Sequence, residues 1–247
     1  MVGIVEFTDP RLVAVYETVN AYEPGTQPDF YLGLAAEVEA RSVVDLGCGT
    51  GLLTRELALQ GYEVTGVDPA PAMVEVARSR PGGDRVRWLV GDAGLLGDAG
   101  ADLAIMSGHV AQFFVGEDEW AAALAALRRA LRPGGRLSFE SRDPRAREWE
   151  RWTAGARRTY DDPAAGPVEV WAEVSAVRDG VVSYDNHYAF VETGEEVVSP
   201  TQLRFRTIDE LTVSLARAGF VLEQVYGGWD RRPPGPGTGE LVVVAVR

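Results

Sequence analysis

The chain has 247 residues, of which 46% are hydrophobic and 25% charged, and this composition predicts a soluble globular protein with a substantial core. A net charge of −13 argues against binding to a nucleic-acid backbone and favours a small-molecule partner. All 24 basic residues are arginine, which excludes Schiff-base chemistry, pyridoxal phosphate anchoring and the P-loop lysine.

Location and metal content are also constrained by the composition. No stretch is apolar enough for a membrane span, and the acidic N-terminus lacks the regions of a signal peptide, so we expect a cytoplasmic protein with no membrane partner. The only cysteine, Cys48, excludes an internal disulfide, and the two histidines add few further ligands. We therefore expect no metal, and the sequence predicts no particular oligomeric state.

The predicted elements begin with two helices, over 9–21 and 28–40, which form an N-terminal helical cover over 1–40. From Ser42, short β-rich runs alternate with helical patterns. The runs are SVVDLG, LLTRELALQ, EVTGVD, PAMVEVARSR, RVRWLVGD, DLAIMS, EWAAALAALRRAL and RLSFES. This alternation is typical of a parallel sheet with crossover helices.

The pattern changes after Ser141. Long alternating runs joined by Asp179-Gly180 predict a hairpin, a third run lies near 197–206, and the segment 143–206 is interpreted as an antiparallel β insertion. Thr207 and Glu210 then predict a capping box for a helix over 207–218. Two final strands should form a hairpin, so the core comprises 41–142 and 207–247.

The strongest motif is a buried strand that runs into Gly47, Gly49 and Gly51 and then into a helix. Glycines allow a tight turn and a close approach of a ligand to the backbone. Asp68 ends the next strand, 21 residues beyond Gly47, where a carboxylate can accept hydrogen bonds from a ribose. Leu52 replaces the last glycine of the dinucleotide fingerprint, which disfavours NAD.

Four motifs, at 45–51, 66–69, 91–93 and 131–135, resemble those of the class I S-adenosylmethionine-dependent methyltransferases. The resemblance implies an α/β fold with a Rossmann-like, mostly parallel seven-stranded sheet, helices on both faces and a C-terminal antiparallel hairpin. It implies transfer of a methyl group from S-adenosyl-L-methionine to a nitrogen or oxygen of a small molecule by in-line displacement. The insertion would then cover the acceptor cleft.

The resemblance also implies a set of cofactor contacts. The glycine turn would line the methionine moiety above Asp45, Asp68 would hold the ribose, and Met73 would pack near the adenine. Asp92 would accept a hydrogen bond from the adenine amino group, although it also fits a simple turn. Three tyrosines of the N-terminal cover could close over the cofactor or only pack. The expected cofactor residues are Asp45, Gly47, Cys48, Gly49, Gly51, Asp68, Pro69, Met73, Asp92, Ala93, Ser107, Gln112, Tyr16, Tyr22 and Tyr31.

Two histidines are candidates for the proton chemistry. His109, expected beside the reactive centre, is either a general base or orienting donor, or a residue that merely bonds the cofactor or backbone. His187 is a second-choice base, and its alternative is an ordinary half-buried strand residue.

Candidate acceptor contacts come from the insertion and from the last turn. Arg142, Arg145, Trp149 and Trp152 form either a lid over the acceptor or a surface helix. Tyr188 in the hairpin and Trp229 near the last turn complete the set. Two other functions remain open at this point: a non-catalytic cofactor-binding module and an NAD-linked oxidoreductase.

Overall fold

The structure is a computed structural model that describes residues 3–21, 23, 25–235 and 237–247. Seven helices, α1 to α7, are Pro10–Val19, Gln27–Glu37, Leu52–Leu59, Pro71–Ser79, Val110–Phe113, Glu117–Ala130 and Ile208–Arg217. Strands β1 to β5 are Ser42–Leu46, Glu63–Asp68, Val86–Val90, Ala101–Met106 and Leu131–Arg142. Strands β6 to β11 are Arg158–Asp162, Gly166–Arg178, Val181–Phe190, Glu195–Arg204, Val221–Tyr226 and Glu240–Val246.

The core sheet has seven strands in the order β10-β11-β5-β4-β1-β2-β3. Strand β11 runs antiparallel to both of its neighbours, whereas the other adjacent pairs are parallel. The predicted mostly parallel sheet and its terminal hairpin are therefore confirmed. The order reverses between β1 and β4, and a ligand site is expected outside the carboxyl ends of the strands at such a point.

Helices cover both faces of this sheet, as predicted. One apolar cluster joins the sheet to α6 and α7 and includes the fully buried Trp120 and Phe139. The other joins the sheet to α2, α3 and α4 and includes Tyr31 and Leu57. Helix α7 begins with the expected capping box, in which Thr207 and Glu210 bond reciprocally.

A separate antiparallel sheet of four strands, in the order β6-β7-β8-β9, is formed by the segment expected to be an insertion. Arg178 pairs with Val181 across the two-residue turn, so the predicted hairpin is present. Asp179 and Gly180 both have positive φ, of 49° and 76°, the conformation that tight hairpin turns require. Strand β6 was not predicted, because its polar residues show no apolar alternation.

Helix α1 lies between the two sheets. Leu12 and Val15 pack against the four-stranded sheet in a cluster that includes Val168. Val13, on another side of the helix, packs against Met73 of α4. Within the described ranges, no helix has the length and hydropathy needed to cross a membrane.

Candidate functional site

The glycine turn after β1 is tight because neighbouring side chains fill the space beside it. Gly47 has a φ of 79°, and a Cβ atom there would lie 2.5 Å from Val110 Cγ2. A Cβ atom on Gly51 would lie 2.5 Å from the Trp88 ring. Gly49, in contrast, faces open space apart from an ordinary contact with Met73, so its surface is available to a ligand.

Two carboxylates end the first two strands beneath this turn. Asp68 accepts hydrogen bonds from the backbone N–H groups of Gly49 at 2.9 Å and Ala70 at 2.8 Å, yet burial raises its pKa. Asp45 accepts one bond from the Thr54 hydroxyl, and burial raises the pKa of Asp45 to about 7. The second oxygen of Asp45 and the Thr50 hydroxyl are buried and have no hydrogen-bond partner among the described residues.

A cavity of about 580 Å³ lies between the glycine turn and the four-stranded sheet. Gly47 and Gly49 line it on the core side, together with Ser107 and His109, which follow β4. The opposite wall comes from the four-stranded sheet. Ala172, Tyr184, Asn186 and Leu203 form that wall.

His109 is held from two sides. Its backbone N–H donates to Glu140 Oε1 at 2.7 Å, and its ring Nε2 lies 3.0 Å from Glu240 Oε2. Glu140 is buried at the carboxyl end of β5, where it also accepts bonds from Gln27 and the Tyr31 hydroxyl, and burial raises its pKa. His109 and Glu240 both line the cavity.

Some of the site residues that were expected from the sequence do line this cavity. Those residues are Tyr16, Gly47, Cys48, Gly49, Ser107, His109, Arg142, Trp152 and Trp229. Arg142 is anchored by Gln112 Oε1 at 3.0 Å and by Glu148 at 3.2 Å, and its guanidinium lies over the Trp152 ring. Tyr22 lies outside the described residues.

Other expected residues lie behind the lining. Asp45, Gly51, Asp68, Pro69, Met73, Ala93, Gln112, Tyr31 and Tyr188 do not line the cavity. Met73 is buried and packs against Val13 of α1. Asp92 is exposed and accepts a bond from the Gly94 N–H at 2.8 Å, which is the turn geometry of its simpler interpretation.

The structure does not bring His187, Trp149 or Arg145 to the cavity. His187 lies on the other face of β8 from Tyr184 and Asn186, stacked on Trp171 and bonded to Glu196, because successive strand residues point to opposite faces. Trp149 packs edge-on against Phe205. Arg145 is exposed and paired with Asp143, and the expected lid segment forms short 3-10 turns and not a helix.

Three carboxylates of the site were missed by the sequence analysis. Glu140 carries a usable signal, because a carboxylate in the final part of a central strand must find hydrogen-bond donors when it is buried. Glu240 opens an antiparallel strand, so its proximity to His109 depends on the pairing of Glu240 with Arg142. Glu6 precedes every predicted element and carries no local signal.

The residues present fit an S-adenosylmethionine-type ligand. The turn offers open space at Gly49, unpartnered buried oxygens lie beside it on Asp45 and Thr50, and the Asp68 carboxylate ends the neighbouring strand. Such unpaired polar atoms are uncommon in protein interiors and are satisfied when a ligand or water supplies the missing bond.

A sequence profile of the family described as "Methyltransferase domain" matches residues 43–135. An uncharacterized methyltransferase of Mycobacterium tuberculosis is 32% identical over 213 residues, which cover 80% of this chain and 84% of the relative. The chain belongs to the class I S-adenosylmethionine-dependent methyltransferases. The methyltransferase therefore uses the cofactor that the glycine turn and Asp68 indicated.

Solved structures show the same fold. The CcbJ methyltransferase from Streptomyces caelestis superposes with a TM-score of 0.76 at 23% identity, covering 92% of this methyltransferase and 97% of that chain. CalS10, an amino pentose methyltransferase from Micromonospora echinaspora, superposes with a TM-score of 0.70 at 24% identity, covering 94% and 96%. Both matches extend across the core and the four-stranded sheet.

Proposed function

We propose that this enzyme transfers a methyl group to a nitrogen or oxygen atom of a small molecule. The observation that carries the proposal is the cavity of about 580 Å³, which has the glycine turn on one wall and the His109–Glu240 pair beside it. Its volume falls within the range of roughly 300–1,000 Å³ typical of small-molecule sites. The amino pentose methyltransferase with the same fold acts on a small molecule, which supports this acceptor class.

When bound, S-adenosylmethionine supplies a methyl group on a positively charged sulfur. In this proposal Asp68, at the end of β2, accepts hydrogen bonds from the ribose, and Gly47 and Gly49, which line the cavity, contact the methionine moiety. Asp45 can accept a further hydrogen bond with its unpartnered oxygen. The chain's own contribution is to hold the two reacting molecules in line, which lowers the entropic part of the barrier.

His109 is the proton acceptor in this proposal. With Glu240 ionised, the tautomer that carries its proton on Nε2 donates to that carboxylate, which leaves Nδ1 as the acceptor. The bond from the His109 backbone to Glu140 holds the residue at its positive φ of 59°. A carboxylate–histidine pair of this kind fixes the orientation and the tautomer of the ring.

The experiment is calorimetric titration with S-adenosylmethionine, S-adenosylhomocysteine and NADH, repeated on Asp68→Ala. We expect the two sulfur nucleosides to bind and the variant to lose most of that affinity. Binding of NADH alone would contradict the proposal. A screen of acceptors for S-adenosylhomocysteine formation then separates an enzyme from a module that binds cofactor without turnover. The cytoplasmic location stays a prediction.

A further inference from the structure

Glu6 lies in the cavity wall, on the 3-10 turn Val5–Phe7 that precedes α1. Its backbone N–H donates to Ser199 Oγ at 2.9 Å, and its carboxylate accepts from Asn186 Nδ2 at 3.0 Å. A third bond joins the Glu6 carboxylate to the side chain of Tyr188. The carboxylate is therefore held in place by the four-stranded sheet, on the wall opposite the glycine turn.

No positive side chain of the described residues neutralises this carboxylate. Among the residues that the structure describes, Glu6 takes part in no ion pair, and the two basic residues that line the cavity are already engaged. Arg142 pairs with Glu148, and His109 pairs with Glu240. Burial accordingly raises the pKa of Glu6, as expected for a carboxylate without a cation beside it.

The surroundings of Glu6 are aromatic. Tyr16 and Tyr184 line the same cavity, and the pKa of each is raised by burial and then by the negative charge of Glu6. A carboxylate bordered by tyrosine rings is suited to a cationic group, because the ring faces attract positive charge. Enclosed charges are costly unless paired, so a cation that enters the cavity is stabilised beside the Glu6 carboxylate.

We propose that Glu6 pairs with an ammonium group of the methyl acceptor, so that the acceptor is a cationic amine. The atom that attacks the methyl carbon is a separate, uncharged nitrogen or oxygen of the same molecule, because an ammonium nitrogen has no lone pair. The inference rests on the proposed function and narrows its acceptor class. The sulfonium of the cofactor is the other cation that enters this enzyme. The bonds of Glu6 to Ser199 and Asn186 place it on the wall of the four-stranded sheet and favour the acceptor.

The first part of the test compares Glu6→Gln with wild type for the affinities of S-adenosylmethionine and S-adenosylhomocysteine. Only the former carries the sulfonium charge, so the ratio of the two affinities reports on a carboxylate near the sulfur. We expect the ratio to be unchanged in Glu6→Gln. A selective loss of S-adenosylmethionine affinity would assign Glu6 to the cofactor and overturn the proposal.

The second part measures binding of matched amines and alcohols to protein saturated with S-adenosylhomocysteine, using D-glucosamine with D-glucose and propylamine with propanol. We expect wild type to bind each amine more tightly than its matched alcohol. In Glu6→Gln the ratio of the two affinities should fall by about tenfold or more, which corresponds to the loss of a charged hydrogen bond. Glu6→Asp should keep part of it. Glu196→Gln removes a carboxylate from the outer face of the same sheet and should keep all of it.

The two proposals fail in different ways. If neither sulfur nucleoside binds wild type, the proposed function fails. If both bind but neither amine shows a preference that depends on Glu6, only the assignment of Glu6 is overturned. Correct folding of Glu6→Gln is checked by its unchanged affinity for S-adenosylhomocysteine, which separates a lost charge contact from a damaged site.

Discussion

Three buried carboxylates lie at the carboxyl edge of the core sheet, and their proton affinities set how the site responds to pH. Burial raises the pKa of Asp45, Asp68 and Glu140, because the charged form is disfavoured away from water. Each of them accepts at least one hydrogen bond, which offsets part of this effect.

The raised pKa of Asp45 predicts a falling stability between acid and neutral pH. The folded protein keeps this proton up to about pH 7, whereas an unfolded aspartate loses it near 3.8. Because the folded state binds more protons in that window, the free energy of unfolding decreases as pH rises, by up to about 1.4 kcal/mol per pH unit. Urea denaturation of wild type and Asp45→Asn across this range should show a flatter profile in the variant.

Asp102 is the matched control for that experiment. Hydrogen bonds from Arg132 and from the backbone of Arg41 and Ser42 outweigh its partial burial and lower its pKa. Its stabilising contribution is present at neutral pH and is lost as pH falls below the usual range of aspartate, so Asp102→Asn changes the acid side of the profile instead. Identical pH slopes for wild type and Asp45→Asn would contradict the assignment.

The proton-acceptor role of His109 predicts a loss of rate without a loss of cofactor binding. We expect His109→Ala to lower kcat by about 100-fold or more, the usual contribution of a general base. Glu240→Gln should cause a smaller decrease, because the ring remains but loses its ionised partner. Single-turnover formation of S-adenosylhomocysteine measures both. Normal turnover by a variant that binds cofactor normally would rule out the role.

At the scale of elements, the glycine turn depends on α5. Gly47→Ala places a Cβ atom 2.5 Å from Val110 Cγ2 at a φ of 79°. We expect a loss of about 1–3 kcal/mol in unfolding free energy and weaker binding of S-adenosylhomocysteine, because the overlap must be relieved by a backbone shift. Adding Val110→Ala removes the clashing methyl groups.

A double-mutant cycle on Gly47→Ala and Val110→Ala measures this contact directly. The two changes should be non-additive, with the double variant more stable than the sum of the single effects predicts. Additive effects would show that only the backbone conformation, and not the contact, restricts residue 47.

The elements predicted correctly are those whose signal is local. The sequence runs that form β1 to β4 are short, apolar and flanked by turn residues, and the pair Asp179-Gly180 is sufficient to specify its turn. Helix α5, of only four residues, is too short to show a period. The glycine turn is likewise specified by residues adjacent in sequence. The contact between His109 and Glu240, in contrast, joins residues 131 positions apart, and only the order of the strands in the sheet brings them together.

At the scale of the whole molecule, α1 packs between α4 of the core and the four-stranded sheet, and Leu12 is one of its buried contacts with that sheet. Leu12 is 1% exposed and packs in a cluster with Val168 and Tyr188. We expect Leu12→Ala to lower the free energy of unfolding by about 2–5 kcal/mol through lost burial and a residual cavity. Leu59→Ala, at a leucine that is 45% exposed, is the control and should cost below about 1 kcal/mol.

Urea denaturation followed by tryptophan fluorescence measures this effect. Tryptophans occur in both parts, including Trp120 in the core and Trp171 in the four-stranded sheet. A single transition in wild type, shifted in Leu12→Ala, is expected if α1 holds the parts together. A Leu12→Ala profile that matches the control would contradict the role given to α1.

The position of α1 also has a thermodynamic consequence. Val13 packs against Met73 near the expected adenosine end, while Leu12 of the same helix packs on the sheet that holds Glu6. A rigid helix that is displaced at one end of the cavity changes the wall at the other. If cofactor binding displaces α1, occupancy of the two ends is linked. The factor by which cofactor alters acceptor affinity must then equal the factor by which acceptor alters cofactor affinity.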